Sequence, residues 1–421
     1  MEYAFSHAWQ YDLDASASLS SAGVDAIFRL AASTGARCQR LAHREDMTSR
    51  ALSAVARASA TWTKNLRARL AHTEAATYEE RGEPGRVLKI ASIPLRAALD
   101  AVAPNEIAVR MLAAPVNPSD LNIIEGKYPV PRELPAVGGN EGVGEVISVG
   151  RDAAGAFAIG DRVVPNRSYA QGTWRREVID VASSFDVIDR DIPVHEAAML
   201  TVNPCTAYRL LEDSDIREGE TVVLNAATSG VGRALLQIAR DRGIKTIAMC
   251  RPRPDEAETE ATFEALRAAG ADVVLPDVEG KMLRLDAKTR ELAAKARYGF
   301  NAVSGYSAQT MLRLLQPNAS SVMVTYGGMS KQPLVVPTGA FIFKDITLRG
   351  FWLTRWLERD AHENDGAGRR AMLDQVSDLI RRNVVSNPVS ALSDVPLRDL
   401  PTRLLTDNPD AIGRKKLLVR L

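Results

Sequence analysis

In this chain of 421 residues, a few short stretches carry the residue types that chemistry on a nucleotide requires. Thr221-Val-Val-Leu-Asn-Ala-Ala-Thr-Ser-Gly-Val-Gly232 joins a β-branched apolar run to a turn of small residues, Ala226 to Ser229, and then to Gly230, Val231 and Gly232. Small residues let backbone approach a ligand closely. The unpaired N–H groups and the positive dipole end of a helix start hold phosphate. The stretch is therefore a candidate pyrophosphate cradle, although its spacing is not the full G-x-G-x-x-G fingerprint. The next apolar run ends in Met249-Cys-Arg-Pro-Arg253. NAD-binding proteins put a carboxylate there to bond the ribose 2′-hydroxyl, whereas this loop has Arg251 and Arg253 around Pro252 and no acidic residue. A guanidinium fork suits a 2′-phosphate, so NADPH is expected over NADH; the competing reading makes one or both arginines solvated loop residues. Gly327-Gly328 follows another apolar run, where backbone must come close to a ligand or turn sharply.

The elements that must position these residues follow from periodicity. From Ala207 to about Leu353 strands and helices alternate: Thr221–Asn225, Ile244–Met249, Asp272–Leu275, Phe300–Val303 and Ser321–Thr325 read as strands. Between them, Glu256–Ala269 (closed by Gly270), a segment near Lys281–Arg297 and Tyr306–Leu315 read as helices. That alternation implies a doubly wound parallel sheet with ligand at the strands' carboxyl ends. Before it, the chain is turn-rich, with Val87–Ile90, Glu106–Met111 and Gly144–Val149 as strands of a small barrel. After Trp356, a helix at Arg369–Arg382 and a strand at Lys416–Val419 are expected to return to the barrel. The expected division is 1–66 as a helical extension, 67–206 as a barrel domain, 207–356 as the dinucleotide domain and 357–421 as the return segment. In the extension, Leu52, Val55, Ser59, Trp62, Leu66 and Leu70 mark one face of a long helix that Asp46 or Thr48 could cap. The extension is basic and rich in Ala, Ser and Arg, as targeting segments are. Glu2, Asp12, Asp14 and Asp25 argue instead for a retained arm that docks on the protein itself or on a partner.

Composition excludes several classes. The 53 Lys and Arg nearly balance the 52 Asp and Glu, so nucleic acid, which needs a basic excess, is not an expected partner. No apolar run reaches the roughly 20 residues that cross a bilayer. Cys38, Cys205 and Cys250 have neither metal-ligand spacing nor the makings of a disulfide framework.

Longer blocks of sequence carry a resemblance. Met111-Leu-Ala-Ala-Pro-Val-Asn-Pro-Ser-Asp-Leu-Asn122, Leu134-Pro-Ala-Val-Gly-Gly-Asn-Glu-Gly-Val143, Val202-Asn-Pro-Cys-Thr-Ala-Tyr208, Val324-Thr-Tyr-Gly-Gly-Met-Ser-Lys-Gln-Pro333 and Phe343-Lys-Asp-Ile-Thr-Leu-Arg-Gly-Phe-Trp-Leu353 resemble the mitochondrial trans-2-enoyl thioester reductases. These are zinc-free medium-chain dehydrogenase/reductases with a GroES-like β-barrel domain and a Rossmann sheet. The resemblance covers about 67–421 and leaves the extension unmatched. It implies NADPH-dependent reduction of enoyl thioesters, carried on acyl carrier protein or coenzyme A, in mitochondrial fatty-acid synthesis in the matrix. It implies a homodimer joined through the Ile346–Trp352 strand. Zinc-dependent members of the superfamily have Gly-His-Glu where this chain has Gly139-Asn140-Glu141, and a catalytic zinc needs about three such ligands, so no metal is expected.

The resemblance also implies roles for single residues. Tyr128, in Glu125-Gly-Lys-Tyr-Pro129, would be the proton donor: hydride at C3 leaves an enolate, which a phenol can hydrogen-bond and protonate at C2. Taken without the resemblance, it reads as an ordinary loop tyrosine. Asn203 would lie near the nicotinamide ribose or the reacting carbonyl, or cap a helix before Pro204. Thr228, Ser229, Gly230 and Val231 would cradle the pyrophosphate. Tyr326, Gly327, Gly328 and Met329 would line the nicotinamide-side wall, with Phe351, Trp352, Leu353, Thr354 and Lys415 completing the pocket. In Asn301-Ala-Val-Ser-Gly305 the relatives tend to have cysteine and a further glycine, so Ser304 could crowd the cofactor. Arg167, Arg175 and Arg176 could meet an acidic carrier or be solvated loop residues. A quinone or enone reductase, and a structural subunit of a larger mitochondrial assembly held through 1–66, are the competing readings.

Overall fold

The computed structural model describes residues 71–130, 132–166, 172–280, 285–317, 320–406 and 415–421. The expected helical extension 1–66, Arg167 and the first residues of the segment near Lys281 lie outside the described residues.

Residues His72–Leu421 form one compact unit with three sheets. Strands β1 (His72–Tyr78), β2 (Lys89–Pro94) and β4 (Ala136–Val137) make an antiparallel sheet in the order β2-β1-β4. The barrel sheet runs β15-β16-β3-β5-β6-β8, with β7 also paired to β3. Its strands are β3 (Glu106–Pro115), β5 (Val143–Val149), β6 (Arg162–Pro165), β7 (Glu177–Val181), β8 (Phe185–Ile188), β15 (Leu392–Pro396) and β16 (Lys416–Arg420). The last strand, β16, pairs antiparallel with β3 through Leu418↔Pro115 and Val419↔Ala114, so the chain's end lies beside the residues that open the site.

The third sheet is the doubly wound one: β9 (Thr221–Leu224), β10 (Lys245–Cys250), β11 (Val273–Pro276), β12 (Ala296–Asn301), β13 (Val322–Thr325) and β14 (Thr347–Gly350). The order is β11-β10-β9-β12-β13-β14 and every pair is parallel. Strand order reverses between β9 and β12, the place where such sheets bind dinucleotides. Helices cover both faces, so β9 is buried throughout, which is why its sequence is a continuous apolar run rather than an alternating one. The helix Gly230–Asp241 buries Leu235, Leu236, Ile238 and Ala239 on this sheet. The helix Glu256–Ala269 is capped by the Asp255 carboxylate, which accepts from Glu258 N–H at 2.9 Å, and it ends at Gly270 with φ 122°.

Several boundaries differ from those the sequence predicts; the strand expected at Glu106–Met111, for example, runs on to Pro115. Pro84–Val87 is a helical turn with Pro84 at its start, so the strand expected at Val87–Ile90 begins only at Lys89. The helix expected to reach Arg297 is Ala287–Ala293, and β12 already contains Arg297. Tyr298 and Phe300 are buried in that strand. The strand expected at Phe300–Val303 therefore starts four residues earlier and stops where Asn301 Oδ1 accepts from Val303 and Ser304 N–H at 3.2 and 3.0 Å.

Candidate active site

The turn after β9 meets the start of the helix Asn203–Glu212, and the segment after β14 meets a loop of the barrel domain. At the end of β9, Ser229 caps the helix Gly230–Asp241 by accepting from Gly232 N–H at 3.1 Å. Both glycines are dictated by contacts. A Cβ on Gly232 would lie 2.6 Å from the Ala226 carbonyl oxygen and 2.8 Å from Ala227 Cα. One on Gly230 would lie 2.9 Å from the Asn203 amide. The turn thus folds tightly on itself and brings Asn203 onto its first glycine. Asn203 does not cap its helix: Val202 is the cap residue, and the Asn203 Nδ2 donates to Asn117 Oδ1 at 3.3 Å.

Tyr326 to Met329 are pinned across the end of β12. Tyr326 N–H donates to the Asn301 carbonyl and Met329 N–H to that of Ala302, both at 2.9 Å. The Tyr326 hydroxyl is buried beside Ser229 with no hydrogen bond of good geometry, and burial raises the phenol's pKa. A buried hydroxyl left over beside a tight small-residue turn fits a pyrophosphate ligand, whose oxygens accept what the protein leaves unpaired. Ser304, with φ 68°, is buried beneath Gly328: a Cβ on that glycine would lie 3.9 Å from its Oγ. Beyond β10, Arg251 is exposed, whereas Arg253 is anchored to the next helix by Nε donating to Thr262 Oγ1 at 3.2 Å and N–H to Thr259 Oγ1 at 2.8 Å. The sequence reading found no carboxylate in this loop, but the fold supplies one from the adjacent strand end. Asp277, after β11, interacts with Arg251 and accepts from Ser307 Oγ at 2.6 Å, and burial raises its pKa.

Tyr128 follows the helix Pro118–Ile124 and a glycine with φ 74°, Gly126. Its phenol meets Trp352, from beyond β14: the indole Nε1–H donates to the Tyr128 oxygen at 3.0 Å. The rings are edge-on, with centroids 6.1 Å apart. Phe351 N–H donates to the Thr325 carbonyl at 2.9 Å and Leu353 is buried, which fixes the backbone on either side of Trp352. Thr354 stands in the first turn of the helix Leu353–Asn364.

A charged network missed in the sequence underlies these groups. Glu141 and Asp120 are 1% and 2% exposed. Asn117 Nδ2 donates to Glu141 Oε1 at 2.7 Å, and Val202 N–H and Thr201 Oγ1 donate to Glu141 Oε2 at 3.0 and 3.3 Å. Asn117 N–H donates to Asp120 Oδ2 at 2.6 Å. The Lys416 ammonium donates to Asn117 Oδ1, while Lys415 is exposed. The lysine expected in the pocket, Lys415, is the exposed one of the pair, and its neighbour Lys416 reaches inward to Asn117. Burial raises the pKa values of Glu141 and of Asp120, the latter to about 7, and lowers that of Lys416. Asn140 accepts from Arg132 Nη2 at 2.9 Å. Where a metal ligand would be needed there are two amides already engaged by an ammonium and a guanidinium, a donor set that does not suit zinc. Among the described residues no three His, Cys, Asp or Glu cluster as metal ligands.

Of the arginines considered for a carrier, Arg175 and Arg176 are among the described residues. Arg175 is half-buried with its Nε closed off from solvent, and burial lowers its pKa to about 10, so it is not a solvated loop residue. Arg176 is 3.6 Å from Glu74, which Arg398 also holds at 2.8 Å.

Comparison with known proteins accords with this geometry. Residues 103–179 match the alcohol dehydrogenase GroES-like domain, and 230–364 match the zinc-binding dehydrogenase domain. The chain is 40% identical over 343 residues to the mitochondrial enoyl-[acyl-carrier-protein] reductase of Xenopus tropicalis, covering 81% of this chain and 94% of that one. It is 39% identical over 349 residues to that of Homo sapiens, covering 83% and 89%. Among solved structures, the Candida tropicalis 2-enoyl thioester reductase Etr1p in complex with NADP and crotonyl-CoA superposes with a TM-score of 0.71 at 28% identity, over 84% of this chain and all of that one.

Proposed function

Because the chain belongs to the mitochondrial enoyl-[acyl-carrier-protein] reductases, we propose how its residues divide the work of that reaction. The enzyme reduces the C2–C3 double bond of trans-2-enoyl thioesters with NADPH. Bound NADPH supplies the hydride that C3 receives. The turn Thr228 to Val231 takes the pyrophosphate, with Tyr326 turned toward it and Asn203 seated on Gly230. Arg251 and Arg253 take the 2′-phosphate; the Thr262 contact preorganises Arg253 for it. Gly327, Gly328 and Met329, with Phe351 to Thr354, wall the nicotinamide side. Lys415, exposed just before β16, completes the pocket, while the half-buried Lys416 is held inward by Asn117.

Tyr128 holds the proton. As charge develops on the thioester oxygen its hydroxyl donates a hydrogen bond to it, and the O–H proton then passes to C2. The observation that carries this reading is the meeting of Tyr128 and Trp352 from opposite halves of the chain. Crotonyl-CoA, the ligand in the Etr1p complex, is the first substrate to test, and carrier-bound enoyl thioesters follow from the relatives' name. We further propose the mitochondrial matrix as the compartment of this enzyme, whose relatives are named as mitochondrial. A homodimer formed along β14, the outer strand of its sheet, is supported by that strand's exposure; Etr1p pairs with Etr2p. The test is NADPH consumption with crotonyl-CoA beside a benzoquinone at equal concentration. Turnover of the thioester well above that of the quinone is expected, and the reverse ranking would replace this reading with quinone reduction.

A further inference from the structure

We propose that Ser304 is a further binding residue for NADPH, its hydroxyl donating a hydrogen bond to an oxygen of the cofactor's nicotinamide riboside half from beneath Gly328. This rests on the reading that NADPH spans the carboxyl ends of the doubly wound sheet. It reverses the expectation that a side chain at 304 crowds the cofactor.

Ser304 holds its place against backbone strain. Its φ and ψ are 68° and −162°, a region open to glycine and costly for any residue with a Cβ. The helix Gly305–Leu314 that follows does not call for the hydroxyl, because the Ser304 side chain caps none of its N–H groups. A strained conformation persists only where the surroundings over-determine it, and two buried amides do so. Asn301 Oδ1 accepts from the N–H groups of Val303 and Ser304 at 3.2 and 3.0 Å. Asn301 is itself fully buried, accepting from Asn225 Nδ2 at 2.8 Å and donating to Thr325 Oγ1 at 3.1 Å. Asn225 Oδ1 accepts from Ala302 N–H at 2.7 Å. Three successive N–H groups are thereby held, and the turn has no freedom to relax at Ser304.

The strain fixes where the hydroxyl lies. The segment after β13 crosses this turn, with Met329 and Ser330 N–H donating to the carbonyls of Ala302 and Val303, both at 2.9 Å. A Cβ on Gly327 would meet the Ala302 carbonyl oxygen at 3.1 Å. One on Gly328 would face open space, where Ser304 Oγ, at 3.9 Å, is the one atom of the described residues within 4 Å. The hydroxyl therefore borders the space that Gly328 leaves clear. Topology says which half of NADPH meets it. A dinucleotide lies across the point where strand order reverses, here between β9 and β12. Arg251 and Arg253, after β10, mark the adenosine side, so the ends of β12 and β13 on the other side take the nicotinamide riboside. Its ribose and carboxamide oxygens are acceptors, and a serine hydroxyl has one proton to donate.

Two variants and one fragment of the cofactor test this by binding and unfolding rather than by turnover. Ser304→Ala keeps the strained backbone and removes the hydroxyl. It should weaken NADPH binding, followed by nicotinamide fluorescence, by about threefold to tenfold, the value of one neutral hydrogen bond. The Tm of the cofactor-free protein should stay within about 1 °C of wild type. Ser304→Gly removes hydroxyl and strain together: NADPH affinity should fall by as much, while the cofactor-free Tm rises by about 1–5 °C. Adenosine 2′,5′-bisphosphate lacks the nicotinamide half, so both variants should bind it as tightly as wild type does. Tighter NADPH binding in Ser304→Gly would mean that the side chain crowds the cofactor and would overturn the proposal. So would an unchanged NADPH affinity in Ser304→Ala, or an equal loss of affinity for the bisphosphate and for NADPH. Failure of the wild-type protein to bind NADPH would instead remove the cofactor reading itself, a separate result of the same titration.

Discussion

Asp120 should make this protein less stable as pH rises, and Asp120→Asn should abolish that effect. The carboxyl is 2% exposed, Oδ1 is buried with no hydrogen-bond partner, and Oδ2 accepts from Asn117 N–H at 2.6 Å. Burial raises its pKa from 3.8 to about 7, against the pull of Arg132 and Lys416. Between those values the folded chain keeps a proton that the unfolded chain has released, so stability falls with rising pH across that window. The rise from 3.8 to about 7 is worth about 4 kcal/mol in full, all of it lost by pH 8. Asparagine preserves the acceptor for Asn117 and cannot titrate. Its amide N–H group lands where Oδ1 has no partner and costs about 1–3 kcal/mol at every pH, so the slope is the readout and not the absolute stability. The measurement is urea unfolding of both proteins between pH 4.5 and 8. Glu141, raised in the same direction, also pushes the Asp120 pKa up by its charge, so the difference between the two proteins reports Asp120 together with that coupling. The variant should gain stability relative to wild type by a few kcal/mol over this range; parallel curves would show that Asp120 is ionised in the fold and that this network has been misread.

Other predictions concern the cofactor. Replacing Arg251 and Arg253 with alanine should raise the KM for NADPH by about tenfold to a hundredfold, the value of charge-assisted bonds to phosphate. The KM for NADH should hardly move, as initial rates with each cofactor will show. In Gly232→Ala the new Cβ would meet Ala226 and Ala227 backbone at 2.6–2.8 Å. Overpacking of about 1–3 kcal/mol should appear as a lower Tm, and NADPH should raise that Tm less than it does in wild type. Lys416→Met should depress turnover and stability by stranding Glu141 and Asp120, whereas Lys415→Met should leave stability unchanged in the same unfolding assay.

The elements closest to the cofactor were legible because each satisfies its own local rules. Thr221–Leu224 is uncharged, largely β-branched and buried at every position since both of its faces are covered. Glu256–Ala269 announces itself by Asp255 before it and Gly270 after it. β12 was misplaced because Ala293-Ala-Lys-Ala-Arg297 has good helix formers, and only the burial of Tyr298 and Phe300 in the sheet overrides them. The charged network was invisible for a different reason. Asn117, Glu141, Thr201 and Lys416 are far apart in sequence: the β3–β16 pairing brings Lys416 to Asn117, while Glu141 arrives just before β5 and Thr201 just before the helix Asn203–Glu212. Two adjacent lysines give no sequence signal of which one turns inward; strand register decides that. Asp277 was missed likewise, because Cys250↔Pro276 pairing is what sets it beside the arginine loop. Tyr128 needed the resemblance, since a tyrosine between lysine and proline is unremarkable until Trp352 stands opposite it.

Single-turnover kinetics decide whether one phenol protonates the substrate. With NADPH and crotonyl-CoA saturating, Tyr128→Phe should reduce the rate of NADPH oxidation by about a hundredfold or more, while NADPH binding measured by fluorescence stays as tight as in wild type. A variant that turns over at the wild-type rate would mean that a group other than Tyr128 carries the proton.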